Sequence, residues 1–254
     1  MRLLILGAGR DSVGLLQTAR ARGLYVIAAD RDPGAPGFRL ADRRAILALG
    51  DEPALERLAE AERVGAVLAT TPAAVGAAAR IAERYRLPHP ISAESAVVVG
   101  SRLRQRERLA AAGVPQTRWQ VVRHPGETPG FPHVVQPPDR RGRRLAEETP
   151  SGVEATVVAF SEDGTFHGLA GPAAALPLAE RAAAALGIGH GVTSTRVQLG
   201  LGGLRVAEVR TCVDDREAAL CRRTLGIDLY ALVLAAALGD DCVRFGTADA
   251  QAIA

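Results

Sequence analysis

From its first residues the chain alternates short apolar runs with longer stretches in which apolar residues recur every three or four positions. Residues 2–6 form an apolar run closed by Gly7-Ala8-Gly9, residues 12–23 carry apolar side chains at helical spacing, and residues 24–29 return to strand character. Together they predict a strand–helix–strand unit. The alternation continues through a strand at 45–48, a helix at 53–63, a strand at 66–69 and a helix at 73–86. Strands separated by helices cannot pair as hairpins, so the pattern predicts a parallel, doubly wound sheet that gathers ligand groups at the carboxyl ends of its strands. Helices are expected at 93–99 and 103–112, and Gly113-Val114-Pro115 then stops the second and leads into a strand at 118–122.

Residues 123–151 break this pattern. They are dense in Pro, Gly and Arg and poor in apolar residues, which reads as a linker or irregular loop. Beyond them, strands at 154–160 and 165–170 flank Glu162-Asp163-Gly164, a hairpin signal. A helix at 178–186, strands at 192–199 and 204–209, and helices at 215–225 and 229–238 complete an α+β second part. The expected organisation is a first domain over 1–115 and a second over 116–254.

Composition removes several chemistries. All 31 basic residues are arginine, and lysine and asparagine are absent. A Schiff-base lysine, a P-loop lysine or a lysine general base is therefore excluded. The net charge of +3 is spread among alternating acidic and basic residues. The one basic run, Arg140, Arg141, Arg143 and Arg144, has no aromatic residue within it to stack a base, so it reads as a solvated loop and no nucleic-acid partner is expected. Cys212, Cys221 and Cys242 are odd in number and, like His89, His124, His133, His167 and His190, lack metal-ligand spacing. No apolar stretch reaches the roughly 20 residues of a membrane span, and the start runs directly into a strand, so no membrane partner and a cytoplasmic location are expected.

The first glycine loop leaves three readings open. Gly7-Ala8-Gly9-Arg10-Asp11-Ser12 stands where a dinucleotide fingerprint would, with Asp30 at the ribose-side position, but Ser12 replaces the third glycine. The same residues suit a tight strand-to-helix turn. They also suit capture of a small anionic metabolite by Gly7, Gly9, Arg10, Asp30, Thr70 and Thr71, with the two threonines alternatively capping the next helix. Asp214, Asp215 and Glu217 open a helix and favour its dipole.

Several segments, taken in order, resemble the ATP-grasp proteins, especially the carbamoyl-phosphate-synthase-like and carboxylate-amine-ligase branches. They are Ala29-Asp30-Arg31-Asp32-Pro33-Gly34-Ala35-Pro36 with Leu40-Ala41-Asp42, then Ser92-Ala93-Glu94-Ser95-Ala96, Ala112-Gly113-Val114-Pro115 and Leu225-Gly226-Ile227-Asp228-Leu229-Tyr230. The resemblance implies an α/β fold: a Rossmann-like parallel-sheet pre-ATP-grasp domain followed by a shortened α+β ATP-grasp domain. In that family two lobes hold ATP, magnesium bridges its phosphates, and a carboxylate is activated as an acyl phosphate.

By the same resemblance, Arg102 stands for one phosphate lysine and keeps the charge, whereas Gln136 replaces the second. Asp139-Arg140-Arg141-Gly142-Arg143-Arg144 replaces the flexible loop that closes over the phosphates. Glu147 and Glu148 match the adenine hinge and Glu154 the ribose-side acid, with several dozen residues missing between loop and hinge. Arg196 stands at the first magnesium glutamate, Glu208 keeps the second, and Arg210 replaces the neighbouring asparagine. An ion pair of Arg196 or Arg210 with Glu208 is expected.

These departures imply a homologue without ATP-dependent ligation that acts as a small-molecule-binding or subunit-like protein. The alternatives are a reduced but active carboxylate-amine ligase, the one case that calls for ATP and magnesium as cofactors, and binding of an anionic metabolite or dinucleotide by the first domain. A homodimer or partner subunit is expected to cover the face left by the shortened lobe.

Overall fold

The computed structural model describes the whole chain other than residues 125, 140, 141, 150, 151, 201 and 241–254. Arg140, Arg141 and Cys242 thus lie outside the described residues. The first part is a parallel sheet of β1 (Arg2–Leu6), β2 (Tyr25–Asp30), β3 (Arg43–Ile46) and β4 (Ala66–Ala69), in the order β3-β2-β1-β4. Its helices are α1 (Val13–Ala21), α2 (Glu52–Ala61) and α3 (Pro72–Tyr85). Leu3 and Ile5 face α1, while Leu4 and Leu6 face α2 and α3, so β1 is buried on both faces as a central parallel strand requires. The third strand begins two residues before the predicted one, because Arg43 and Arg44 sit exposed on an edge strand where no apolar pattern is needed.

Two helices, α4 (Ala93–Val99) and α5 (Arg102–Ala111), lead to an antiparallel sheet of β5 (Trp119–Val122), β6 (His133–Val135) and β7 (Arg144–Glu148), in the order β5-β7-β6. The linker expected over 123–151 is corrected here: it contains two strands of this sheet. Asp139 and Arg143 close the turn between them, with the Asp139 N–H donating to the Arg143 carbonyl (2.8 Å) and the Gly142 N–H to the Asp139 carbonyl (2.9 Å).

A second antiparallel sheet follows, made of β8 (Val153–Glu162), β9 (Thr165–Ala170), β10 (Gly191–Gly200) and β11 (Gly203–Arg210) in the order β11-β10-β8-β9, with α6 (Leu176–Ala185) on one face. The β8–β9 turn is the predicted hairpin; Asp163 and Gly164 both take positive φ (48° and 83°), as a two-residue turn of this hand needs. The chain then forms α7 (Asp215–Leu225) and α8 (Leu229–Leu238).

The last helix is apolar all round, and that is why it is buried between layers. Leu229, Leu232 and Leu234 join one core with Leu3, Ile5, Leu15 and Leu16 of the parallel sheet and α1, and with Val158, Phe160 and Val192 of the second antiparallel sheet. Tyr230 fixes this packing: its hydroxyl donates to Asp215 Oδ1 (2.7 Å), and its ring lies so close to Gly14 that a Cβ there would meet it at 2.2 Å. No helix among the described residues is long and apolar enough to cross a membrane.

Candidate functional site

Four elements converge on the cleft between the three-stranded sheet and β10–β11. Arg102 and Arg106 lie one turn apart on α5, so both side chains project from the same face. Glu147 comes from β7. Arg196 and Glu208 stand directly opposite each other in the β10–β11 ladder, where a β-bulge follows Arg196.

The side chains of this cleft bond to one another. Arg102 grips Glu147 with two parallel bonds, Nε to Oε2 (2.8 Å) and Nη2 to Oε1 (3.0 Å), and its Nη1 lies 2.7 Å from Glu208 Oε1. Such bidentate geometry is what a guanidinium provides and an ammonium does not. Arg106 donates from Nε to Glu147 Oε1 (2.9 Å) and from Nη1 and Nη2 to the carbonyls of Val206 (3.1 Å) and Ala207 (2.5 Å). Gln136 is the third side chain bonded to Glu147, donating from Nε2 (3.0 Å). Arg196 Nη2 holds the remaining oxygen of Glu208 at 2.8 Å. Burial disfavours the charged form of Glu147, yet the bonds from Arg102 and the charges of Arg106 and Arg102 outweigh it and hold its carboxyl below the usual range. Desolvation likewise opposes the charge on Arg102, and Glu147 and Glu208 more than restore it. For Arg106 desolvation wins, and its pKa is lowered.

Glu148 points the other way along β7. It accepts from the Arg118 N–H (3.0 Å), from Arg118 Nε (3.0 Å) and Nη2 (2.8 Å), and from Arg205 Nη1 (3.2 Å). The Arg118 bonds keep its carboxyl below the ordinary value. The Arg118 guanidinium also lies 5.0 Å from the centre of the Phe131 ring.

The structure brings Arg102, Gln136, Glu147, Arg196 and Glu208 together. Glu154 is not among them; it is exposed on β8 opposite Gln198, with no ion pair among the described residues. The expected partner of Glu208 is Arg196, joined by Arg102. Arg210 is corrected: it pairs with Glu217 (2.8 Å), which also accepts from the Asp214 N–H (2.9 Å) in a capping box at the start of α7. Arg106 was missed by sequence reasoning, although its spacing of four from Arg102 was the available signal.

The residues at the carboxyl ends of β1, β2 and β4 form a second group. Asp30 Oδ2 accepts from the Ala8 N–H (2.8 Å) and Oδ1 from the Asp32 N–H (3.0 Å), so this carboxylate braces the loop backbone. The Thr70 hydroxyl donates to the Leu6 carbonyl (3.2 Å) and accepts from Ser12 (2.8 Å), which explains a serine at the third glycine position. Gly7 has φ +113°, and a Cβ there would come within 2.3 Å of Thr70 Oγ1. Thr71 sits at the N-cap of α3 without a side-chain capping bond, and its buried hydroxyl has no hydrogen-bond partner among the described residues. Arg10 is exposed beside Gly9.

The arrangement does not fit a magnesium-bound triphosphate. Magnesium takes oxygen donors in near-octahedral array. Here both oxygens of Glu208 are engaged by the Arg102 and Arg196 guanidinium groups, and no cluster of three His, Cys, Asp or Glu side chains among the described residues could hold a metal ion.

No family model matches the chain. Over 62 residues, 24% of the chain, it is 39% identical to a formate-dependent phosphoribosylglycinamide formyltransferase of Solidesulfovibrio magneticus; over a segment of the same length it is 40% identical to the enzyme of that name from Burkholderia vietnamiensis. These segments span 16% and 15% of those relatives. Among solved structures, phosphoribosylglycinamide synthetase from Anaerococcus prevotii superposes with a TM-score of 0.77 at 19% identity, covering 96% of this chain and 76% of that one. L-amino acid ligase from Bacillus licheniformis gives 0.78 at 21%, covering 93% and 74%. N5-carboxyaminoimidazole ribonucleotide synthetase from Thermotoga maritima gives 0.72 at 17%, covering 94% and 76%. The chain has the fold of the ATP-grasp ligases, an α/β domain followed by a grasp domain, in shortened form.

Proposed function

We propose that this chain is an ATP-grasp homologue that works without ATP turnover, as a binding or subunit-like protein. One observation carries the reading: the Arg102 guanidinium bridges Glu147 and Glu208, so the positions that the resemblance gives to nucleotide and metal are neutralised by the protein's own side chains. The ligand of such a protein is a small anionic metabolite held near Gly7, Gly9, Arg10, Asp30, Thr70 and Thr71, where the unpartnered Thr71 hydroxyl and the exposed Arg10 offer hydrogen bonds and charge. The competing reading, an active carboxylate-amine ligase that uses ATP and magnesium, is favoured by the ligases among the similar structures and by the presence of Arg102, Glu147 and Glu208.

Calorimetry separates the two. Titrating the protein with ATP and magnesium should give no binding heat, and a panel of carboxylates should give no phosphate release. Micromolar, magnesium-dependent binding, with turnover lost in Arg102→Ala, would replace the first reading by the second.

A further inference from the structure

A pocket of about 310 Å³, at the small end of the range for ligand sites, opens where the carboxyl end of α6 meets the tip of the β8–β9 hairpin. Phe166 of β9, Ala184 of α6 and Ile188 give it apolar walls, and Gly164, Gly187 and Gly189 also line it. Much of the glycine backbone is already engaged. The Gly164 N–H donates to the Gly189 carbonyl (2.8 Å), the Gly187 N–H donates to the Ala184 carbonyl (3.0 Å), and the Gly187 carbonyl accepts from Ser95 Oγ (2.8 Å). Two polar side chains in the lining are left over. Ser161, only 2% exposed, makes no side-chain hydrogen bond among the described residues. Glu180, one turn before Ala184 on α6, makes neither an ion pair nor a side-chain hydrogen bond among them, and its neighbour Arg181 is turned to the Gly113 carbonyl (3.0 Å).

We propose that this pocket binds a small aliphatic ammonium ion, with Glu180 holding its charge, the Ser161 hydroxyl accepting an N–H and the carbon chain lying against Phe166 and Ile188. The two groups left over select that chemistry. An ionised carboxylate only accepts, and the carboxyl end of a helix carries partial negative charge, so the site favours a cation and repels phosphate or carboxylate. An ammonium brings three donors, enough to serve both Glu180 and Ser161, and a short chain suits a pocket of this size. The site is separate from the Arg102 cleft. Thr156 of β8 pairs with Arg196 and Ser161 with Gly191, and because side chains alternate along a strand, Ser161 lies on the sheet face opposite to that of Arg196. Binding here therefore depends neither on ATP in the cleft nor on an anion at the first glycine loop.

Titrating the full chain with n-pentylammonium chloride, followed through the backbone amide resonances of Gly164, Gly187 and Gly189, tests the proposal. The shifts should saturate and centre on these residues, while sodium pentanoate leaves them unmoved and n-pentanol binds about tenfold more weakly, having no charge to offer Glu180. Glu180→Gln keeps the shape of the pocket and should weaken n-pentylammonium about tenfold. Ala184→Leu fills the space against the wall and should abolish the saturable shifts. Both positions are exposed on α6, so both variants should keep the wild-type circular dichroism. Pentanoate or pentanol binding as tightly as the ammonium overturns the proposal, as does wild-type affinity in Glu180→Gln or the absence of any saturable shift.

Discussion

The parallel sheet and the three-stranded lobe are held in different ways. In the parallel sheet Leu3, Leu4, Ile5 and Leu6 of β1 are all fully buried between helices, and the carboxylate at its edge, Asp30, braces a loop. In the lobe the central strand buries Leu145 and Ala146 but also a glutamate: Glu147 lies on β7 among three hydrogen-bonding side chains. Packing is insensitive to salt and to acid over the range in which carboxylates titrate, whereas a pair of ions answers to both. The two regions of one chain should therefore respond differently to the same perturbation.

Cutting into the packed sheet should have the largest effect. Leu4→Ala removes a fully buried side chain from the face packed on α2 and α3 and should cost about 2–5 kcal/mol of global stability; urea unfolding followed by circular dichroism measures it, and a cost below about 1 kcal/mol would remove the contrast. Next, Glu147→Gln leaves Arg102 and Arg106 facing a neutral group and should cost about 3 kcal/mol, read first in Trp119 emission and only later in circular dichroism. Coincident transitions would show that lobe and body unfold together.

Acid should discriminate more gently. The folded pKa of Glu147 lies below its ordinary value of 4.5, so its contribution is fully present above that value and is lost as the pH falls through the lower, folded one. Trp119 emission should thus hold steady at pH 5 and change below about pH 4, with a smaller change in Glu147→Gln, where Glu148 still titrates. Smallest of all, Asp214→Ala removes the capping box of α7 in the body and should cost about 1 kcal/mol without altering Trp119 emission.

The contrast also decides how much was legible in the sequence. A packed sheet writes itself as apolar runs and helical spacing, and β1, β2, β4, α4, α7 and α8 stand where the pattern predicts them, within a residue or so. The lobe left no such record: β6 is only His133-Val134-Val135 between prolines, and β7 ends on two glutamates, so the region reads as loop. The candidate site was legible through resemblance in its members, Arg102, Glu147, Arg196 and Glu208, but not in its pairing. Which guanidinium meets which carboxylate depends on contacts between residues as far apart as Arg102 and Glu208, and short-range pattern is silent on those. Arg210 shows this directly: it sits two residues from Glu208, yet its side chain turns to Glu217 on the following helix.

The burial of α8 between β1 and the β10 sheet has a consequence for synthesis. One side of β1 finds part of its cover in Leu229, Leu232 and Leu234, some two hundred residues later. Until translation reaches that helix, this face of the parallel sheet keeps part of its greasy surface unsheltered, and transient exposure of that kind favours misassembly.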